Sequence, residues 1–192
     1  MPCARKRKSD SSTQPALHGL VLGLASLAPP KSDDKYFQTL TMIYLQNSKI
    51  QVFNAQQVAR VFRDLLHLED TVDQEKEHFY VMHLDVRSQV KMVELVSLGI
   101  LSSALVHPRE VFRRAVMQGS ASIFVAHNHP SGEVDPSSED TKTTRLLFEA
   151  GQLLGIKLLD HIIFATDKFY SFKEFRVQKI EEAEAGKERK NP

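Results

Sequence analysis

One cysteine in 192 residues, Cys3, is all the thiol chemistry this chain has. No internal disulfide can form, and no zinc site built on thiolates is available, so a bound metal would need nitrogen and oxygen ligands. An excess of one charge is lacking too: 25 Lys and Arg stand against 24 Asp and Glu, a formal +1. No whole-chain field advertises nucleic acid or acidic lipid, and any such contact has to be local. Neither H-E-x-x-H nor P-C-x-x-C occurs, which excludes a zincin helix and a zinc deaminase. From Tyr36 onward there is no internal repeat and no low-complexity block. What remains, at 42% hydrophobic and 26% charged, is one ordinary globular domain with tails.

The first 35 residues differ in composition from the rest. "ARKRKSDSSTQP" is basic and then polar, and "APPKSDDK" is a proline-rich charged linker, so residues 1–35 read as a disordered or loosely packed arm. Between them "ALHGLVLGLASLA" is apolar but too short to span a bilayer. It is a poor signal peptide, because Asp10 and a long polar gap separate it from the basic residues and the cleavage-site pattern is weak. Its plain reading is a segment packed on the domain; a membrane-surface contact is the other. A cytoplasmic location is expected, with the domain over 36–176 and a charged tail over 177–192.

Within the domain the periodicity changes from segment to segment. "TLTMIYLQ" and "KIQVF" look extended. Asn54 then caps a helix over "AQQVARVFRDLLHL", where Val58, Val61, Phe62, Leu65 and Leu66 fall on one face. After the acidic turn "EDTVDQEKE", "HFYVMHLDV" and "SQVKMVELVSLG" form a hairpin pattern, and "SSALV" is a further short strand. "HPREVFRRAVMQG" is a helix punctuated by Pro108 and Gly119, with His107 preceding or capping it. "ASIFVAH" is a strand buried on both faces, "PSSEDTKTTRLLFEAGQLLG" a helix, and "KLLDHIIFA" and "FYSF" closing strands. Irregular alternation of this kind predicts α/β with a mixed sheet.

The chemistry concentrates in "HNHPSGEVDPSSED", residues 127–140. In an extended chain, residues i and i+2 project to one face, so His127 and His129 can aim two imidazoles at one point. The carboxyl end of a strand meets the amino end of the next helix in α/β folds, where sites tend to form. Asp140, in the first turn of that helix, can supply an oxygen as third ligand and leave a fourth tetrahedral position for water, as in a catalytic zinc site. The competing reading is that Ser137 and Asp140 are simply an S-x-x-D capping box. The contiguous letters H-N-H do not make a nuclease, whose motif residues are dispersed over a larger unit.

His127-x-His129, seven residues, Ser137, two residues and Asp140 match the H-x-H-x7-S-x-x-D pattern of the JAMM motif in JAB/MPN metalloproteases. "VHPREVFRRAV", "AHNHPSG", "PSSED" and "LLDHIIFA" narrow the likeness: over about residues 50–176 the chain resembles the RadC family of bacterial MPN proteins. The resemblance implies a mixed β-sheet flanked by helices in the JAB/MPN, cytidine-deaminase-like architecture. It implies a Zn2+ held by His127, His129 and Asp140, and hydrolysis of a peptide or isopeptide bond in a protein or peptide substrate. The general base of such hydrolases is a glutamate before an apolar strand, which corresponds to Glu77, with Glu94 as rival. For either carboxylate the alternative is a solvated surface charge. Ser137 would donate to the oxyanion. Asp160 and His161 are expected as supports behind the ligands, or plainly as a buried strand-end pair.

Two other functions stand beside this one. A DNA-repair accessory or nucleic-acid-binding role would draw on "ARKRK" in the arm, which could contact phosphates. RadC-family chains often carry an upstream helix-hairpin-helix region, and none is read here, so the likeness carries little toward DNA. A metal-bearing scaffold without turnover is the third, and the intact His, His, Ser, Asp set argues against it.

Overall fold

The computed structural model describes residues 42–44, 50–99 and 106–181. The arm over 1–35, most of "SSALV" and the end of the tail lie outside the described residues. In chain order the elements are β1 (Met42–Tyr44), α1 (Ala55–Leu66), α2 (Thr71–Gln74), β2 (Glu77–Leu84), β3 (Val90–Gly99), α3 (Pro108–Met117), β4 (Ser122–Asn128), α4 (Ser138–Leu154), β5 (Lys157–Phe164), β6 (Lys168–Ser171) and β7 (Arg176–Lys179). They form the expected α/β domain, a seven-stranded sheet in the order β1-β3-β2-β4-β5-β6-β7. Only β4 and β5 run parallel, because α4 carries the chain back between them; the other neighbours are antiparallel.

Alternation along the central strands divides the core into two layers. Tyr80, Met82 and Leu84 of β2, with Phe124 and Ala126 of β4, face α1 and pack on its Val58, Phe62 and Leu65. Phe79 and Val81, with Ile123 and Val125, face the other way onto Val111, Phe112 and Ala115 of α3 and Leu147 of α4. Every residue of β4 is buried, as its continuous apolar run requires. Asn54 caps α1 by accepting the Gln57 amide, and His107 caps α3, its ring Nδ1 accepting the Arg109 amide with Pro108 at the first turn. No helix among the described residues is long and apolar enough to cross a membrane.

Three local expectations change. The acidic segment is not a bare turn: Asp70 accepts the Val72 and Asp73 amides and starts the short helix α2. "KIQVF" contributes only an isolated bridge between Gln51 and Gln89, since the β3 edge beyond it is taken by β1. Strand β7 and the buried Ile180 carry the ordered domain past residue 176, because β6 pairs with Arg176–Lys179 and Ile180 closes the α1-side layer.

Helix α4 approaches α3 at a glycine. A Cβ on Gly151 would stand 2.5 Å from the Ile156 carbonyl oxygen and 3.2 Å from the Phe112 ring. The first of these is backbone and cannot swing aside. Gly151→Ala is therefore expected to destabilise the fold by about 1–3 kcal/mol, although alanine is the better helix former. A denaturant midpoint equal to or above the parent's would contradict it.

Candidate metal centre

The site forms where β4 leaves the sheet. His127, 1% exposed, pairs with Phe79 of β2 on one side and Ile163 of β5 on the other. Its ring stacks over Phe79 at 6.1 Å between centroids. The chain stays extended one step further, with the His129 amide donating to the Phe164 carbonyl at 3.1 Å. It then turns sharply: Gly132 donates its amide back to the His129 carbonyl at 3.0 Å, and its φ of +82° is a conformation L side chains rarely adopt. Val134, buried against Ile163 and Ala165, fastens the returning loop.

The i and i+2 spacing brings the two imidazoles together, Nε2 to Nε2 at 3.1 Å. His129 Nδ1 lies 2.7 Å from the Glu133 carbonyl. A carbonyl only accepts, so Nδ1 carries a proton there and Nε2 is the nitrogen turned toward the other ring. Across from it stands Asp140, with Oδ1 at 3.2 Å from His127 Nε2 and Oδ2 at 3.8 Å from His129 Nε2. Among the described residues these three are the one group whose ligand atoms all fall within 4.8 Å of one another.

The two readings of Ser137 and Asp140 prove compatible, because the carboxylate has two oxygens. Oδ2 accepts the Ser137 amide at 2.8 Å and its hydroxyl at 2.6 Å, while Ser137 Oγ accepts the Asp140 amide at 3.1 Å, a complete capping box. Oδ1 is left to face His127. Burial works against the charge on Asp140, but the His127 imidazole and the Ser137 bonds outweigh it and hold the carboxyl well below the usual range. It is ionised wherever the protein is folded at ordinary pH.

This arrangement fits a metal. With bonds of about 2.0–2.1 Å, two ligand atoms of a tetrahedral zinc stand about 3.3 Å apart. The two shortest separations here, 3.1 and 3.2 Å, are of that size. Two imidazoles and a carboxylate suit zinc chemically, and a cation is what such converging acceptors take.

Behind the ligands stands His161, within β5 rather than at its end, with Nε2 at 2.9 Å from His127 Nδ1. Burial, and next the neighbouring His127, push it well below the ordinary histidine range, so the ring is neutral. Its other nitrogen meets Thr144 Oγ1 at 2.5 Å, and that hydroxyl donates to the Asp140 carbonyl at 2.6 Å. Thr144 escaped the sequence reading, although its place four residues after Asp140, one turn along the same helix face, was the available signal. Asp160 turns away from the site to accept from Ser171 Oγ and the Lys173 amide, and burial raises its pKa.

The two candidate bases part company. Glu77 opens β2, half-buried, on the sheet face that carries Phe79 and His127. Asn128 pins that strand start: its Oδ1 accepts the His78 amide at 2.7 Å and its Nδ2 donates to the Lys76 carbonyl at 2.9 Å. Glu94 pairs with Val81, deeper in the sheet and one strand further from β4. Its carboxylate is buried between His83 Nε2 at 3.3 Å and Arg114 Nε at 3.1 Å. The structure thus brings His127, His129, Ser137 and Asp140 together and keeps Glu94 elsewhere.

A sheet end that offers two histidines and a helix-capping aspartate in this topology defines a JAB-type domain. A family model described as RadC-like JAB domain matches residues 52–178, and the chain belongs to that family. Relatives named UPF0758 protein accompany it: one from Chlorobium chlorochromatii is 47% identical over 102 residues, 53% of this chain and 46% of its own length. One from Methanosarcina mazei is 48% identical over 102 residues, 53% of this chain and 44% of its own. The chain is thus matched over less than half of the length of these curated relatives, whose names state no activity.

Proposed function

We propose that the chain is a zinc-dependent hydrolase of the JAMM type, cleaving peptide or isopeptide bonds in a protein or peptide substrate. The observation that carries this reading is the convergence of His127, His129 and Asp140, with two of their three separations at the spacing of a tetrahedral site. A zinc ion held by those residues would lower the pKa of a water toward about 7 and polarise a carbonyl.

The chain's own groups would do the rest. Glu77 lies two residues before Phe79, on the sheet face that carries His127 and at the end where the β2–β4 ladder stops. From there its carboxylate would take the proton of the attacking water and hand it to the leaving amine. Ser137, whose hydroxyl proton is directed at Asp140 Oδ2, would turn it toward the developing oxyanion while its amide keeps Asp140 in place. A chain with one cysteine needs no oxidising compartment, and we place it in the cytoplasm. The nucleic-acid reading rests on "ARKRK", outside the described residues, and nothing in the site favours it.

The test is cleavage of peptide and isopeptide libraries by the purified full chain. Activity should vanish on chelation and return with zinc. Hydrolysis that persists unchanged in chelator would end the metal reading of the chemistry; absence of any cleavage by the zinc-loaded chain would favour the scaffold.

A further inference from the structure

We propose that residues 16–28, the apolar run "ALHGLVLGLASLA", dock as an amphipathic helix in the cleft between α3 and α4 of the same chain. The proposal is independent of the metal reading. The cleft holds about 400 Å³ and is lined by Pro108, Arg109, Phe112, Arg113, Val116 and Leu154. Arg109, Phe112, Arg113 and Val116 stand at i, i+3, i+4 and i+7, so they form one stripe of α3. Phe112 is buried and makes the floor, while Val116 and Leu154 are 57% and 50% exposed and make apolar walls. Their sequence neighbours Met117 and Leu153 are exposed as well. An apolar patch of this kind, rimmed by charge, marks a surface that something covers.

The chain carries a segment that fits it. Leu17, Leu20, Val21, Leu24 and Leu27 recur at i, i+3, i+4, i+7 and i+10, the anchor spacing by which a helix lies in a groove. Pro15 stands just before the run, and Pro29 and Pro30 end it. A helix of 13 residues containing Gly19 and Gly23 is marginal by itself and needs a surface to lie on.

Charge and tether point to the same place. Arg109 and Arg113 share one carboxylate, that of Glu110, at 3.0 and 4.0 Å, so among the described residues the rim keeps a positive charge that Glu110 does not balance. Asp33 and Asp34 follow the apolar run and complement it. The chain rejoins the described domain beside α3: Met42 of β1 pairs with Glu94, whose carboxylate accepts from Arg114 Nε at 3.1 Å. Between Ala28 and Met42 lie 13 residues, which can span up to about 45 Å. A tether that short gives the run a high effective concentration at its own cleft, and this favours the same chain over a second copy.

The test is paramagnetic relaxation in the full chain, with Cys3→Ser removing the native thiol and a nitroxide on Val116→Cys. Val116 is exposed, so the label disturbs neither core layer. Amide signals of residues 16–28 should lose intensity, and those of residues 4–14 much less. A label on Leu154→Cys, on the other wall, should give the same profile, so a poorly folded variant at one position leaves the other to decide. Leu20→Asp with Leu24→Asp puts two carboxylates on the apolar stripe and should restore the signals. In unlabelled protein the same pair should shift the amides of Val116 and Leu154 and leave those of β2 and β5 in place.

Full intensity throughout residues 16–28 with both labels overturns the docking. Loss seen only between a labelled chain and a separate nitrogen-15 chain assigns the cleft to a second copy and overturns it too. If the labels leave the run untouched and the chain floats with vesicles of phosphatidylcholine and phosphatidylserine, the run is a membrane contact instead.

Discussion

His129→Ala is expected to abolish stoichiometric zinc binding and leave the domain folded. Its side chain lies beyond the end of β4 and is partly exposed, so removing it opens no cavity in either core layer. The change removes the ring's bond to the Glu133 carbonyl, but the amide bond to the Phe164 carbonyl and the turn closed by Gly132 are backbone and survive it. The loss should exceed the about 10–100-fold that follows from deleting a partner behind a ligand, because a ligand itself is gone. Metal analysis after zinc loading and dialysis reads the effect directly. Thermal unfolding reads it independently: zinc at about 1,000 times its dissociation constant stabilises a native state by about 4 kcal/mol, and the variant should gain nothing. His127→Ala is the poorer test, since that ring also packs on Phe79 and its loss confounds folding with binding. Parent protein that takes up no zinc would remove the basis for the enzyme, and parent-like zinc in His129→Ala would move the ligands elsewhere.

The second large effect separates chemistry from metal. Glu77→Gln keeps the shape of the side chain and removes the basic carboxylate, so zinc content should stay at the parent level while turnover falls by roughly 10²–10⁴-fold. Glu94→Gln is the paired comparison. Because Glu94 is held by His83 and Arg114 away from the ligands, its replacement should spare turnover and lower stability by about 1–3 kcal/mol. Full activity in Glu77→Gln with loss in Glu94→Gln would transfer the base to Glu94, and full activity in both would sink the general-base mechanism.

The candidate ligands were legible because they are local. His127, His129, Ser137 and Asp140 all lie in one connection, and their spacing alone says which can share a face and which begins the helix. The helices were legible for a similar reason: Val58, Val61, Phe62 and Leu65 recur at the period that buries one face. Features that depend on which strands become neighbours were not. The surroundings of Glu94 come from β2 and α3, 11 residues before it and 20 after it. Pairing alone decides that its carboxylate meets His83 and Arg114 rather than the site. Strand β7 carries four mostly exposed residues and no apolar alternation, so only its pairing to β6 makes it a strand. The contact of Thr144 with His161 needs β5 parallel to β4 and α4 laid across both, an arrangement no local pattern states.

One carboxylate begins α4 and faces both histidines, so a bound ion would join helix initiation and occupancy of the site in a single mechanical event. An ion held by Asp140 and the histidines would also keep the carboxylate against the Ser137 amide, and so would steady the first turn of a 17-residue helix whose far end packs on α3 at Gly151. The backbone amides of Ser137 and Asp140 become gauges of the site: their hydrogen exchange should slow as zinc is added, before any substrate is known.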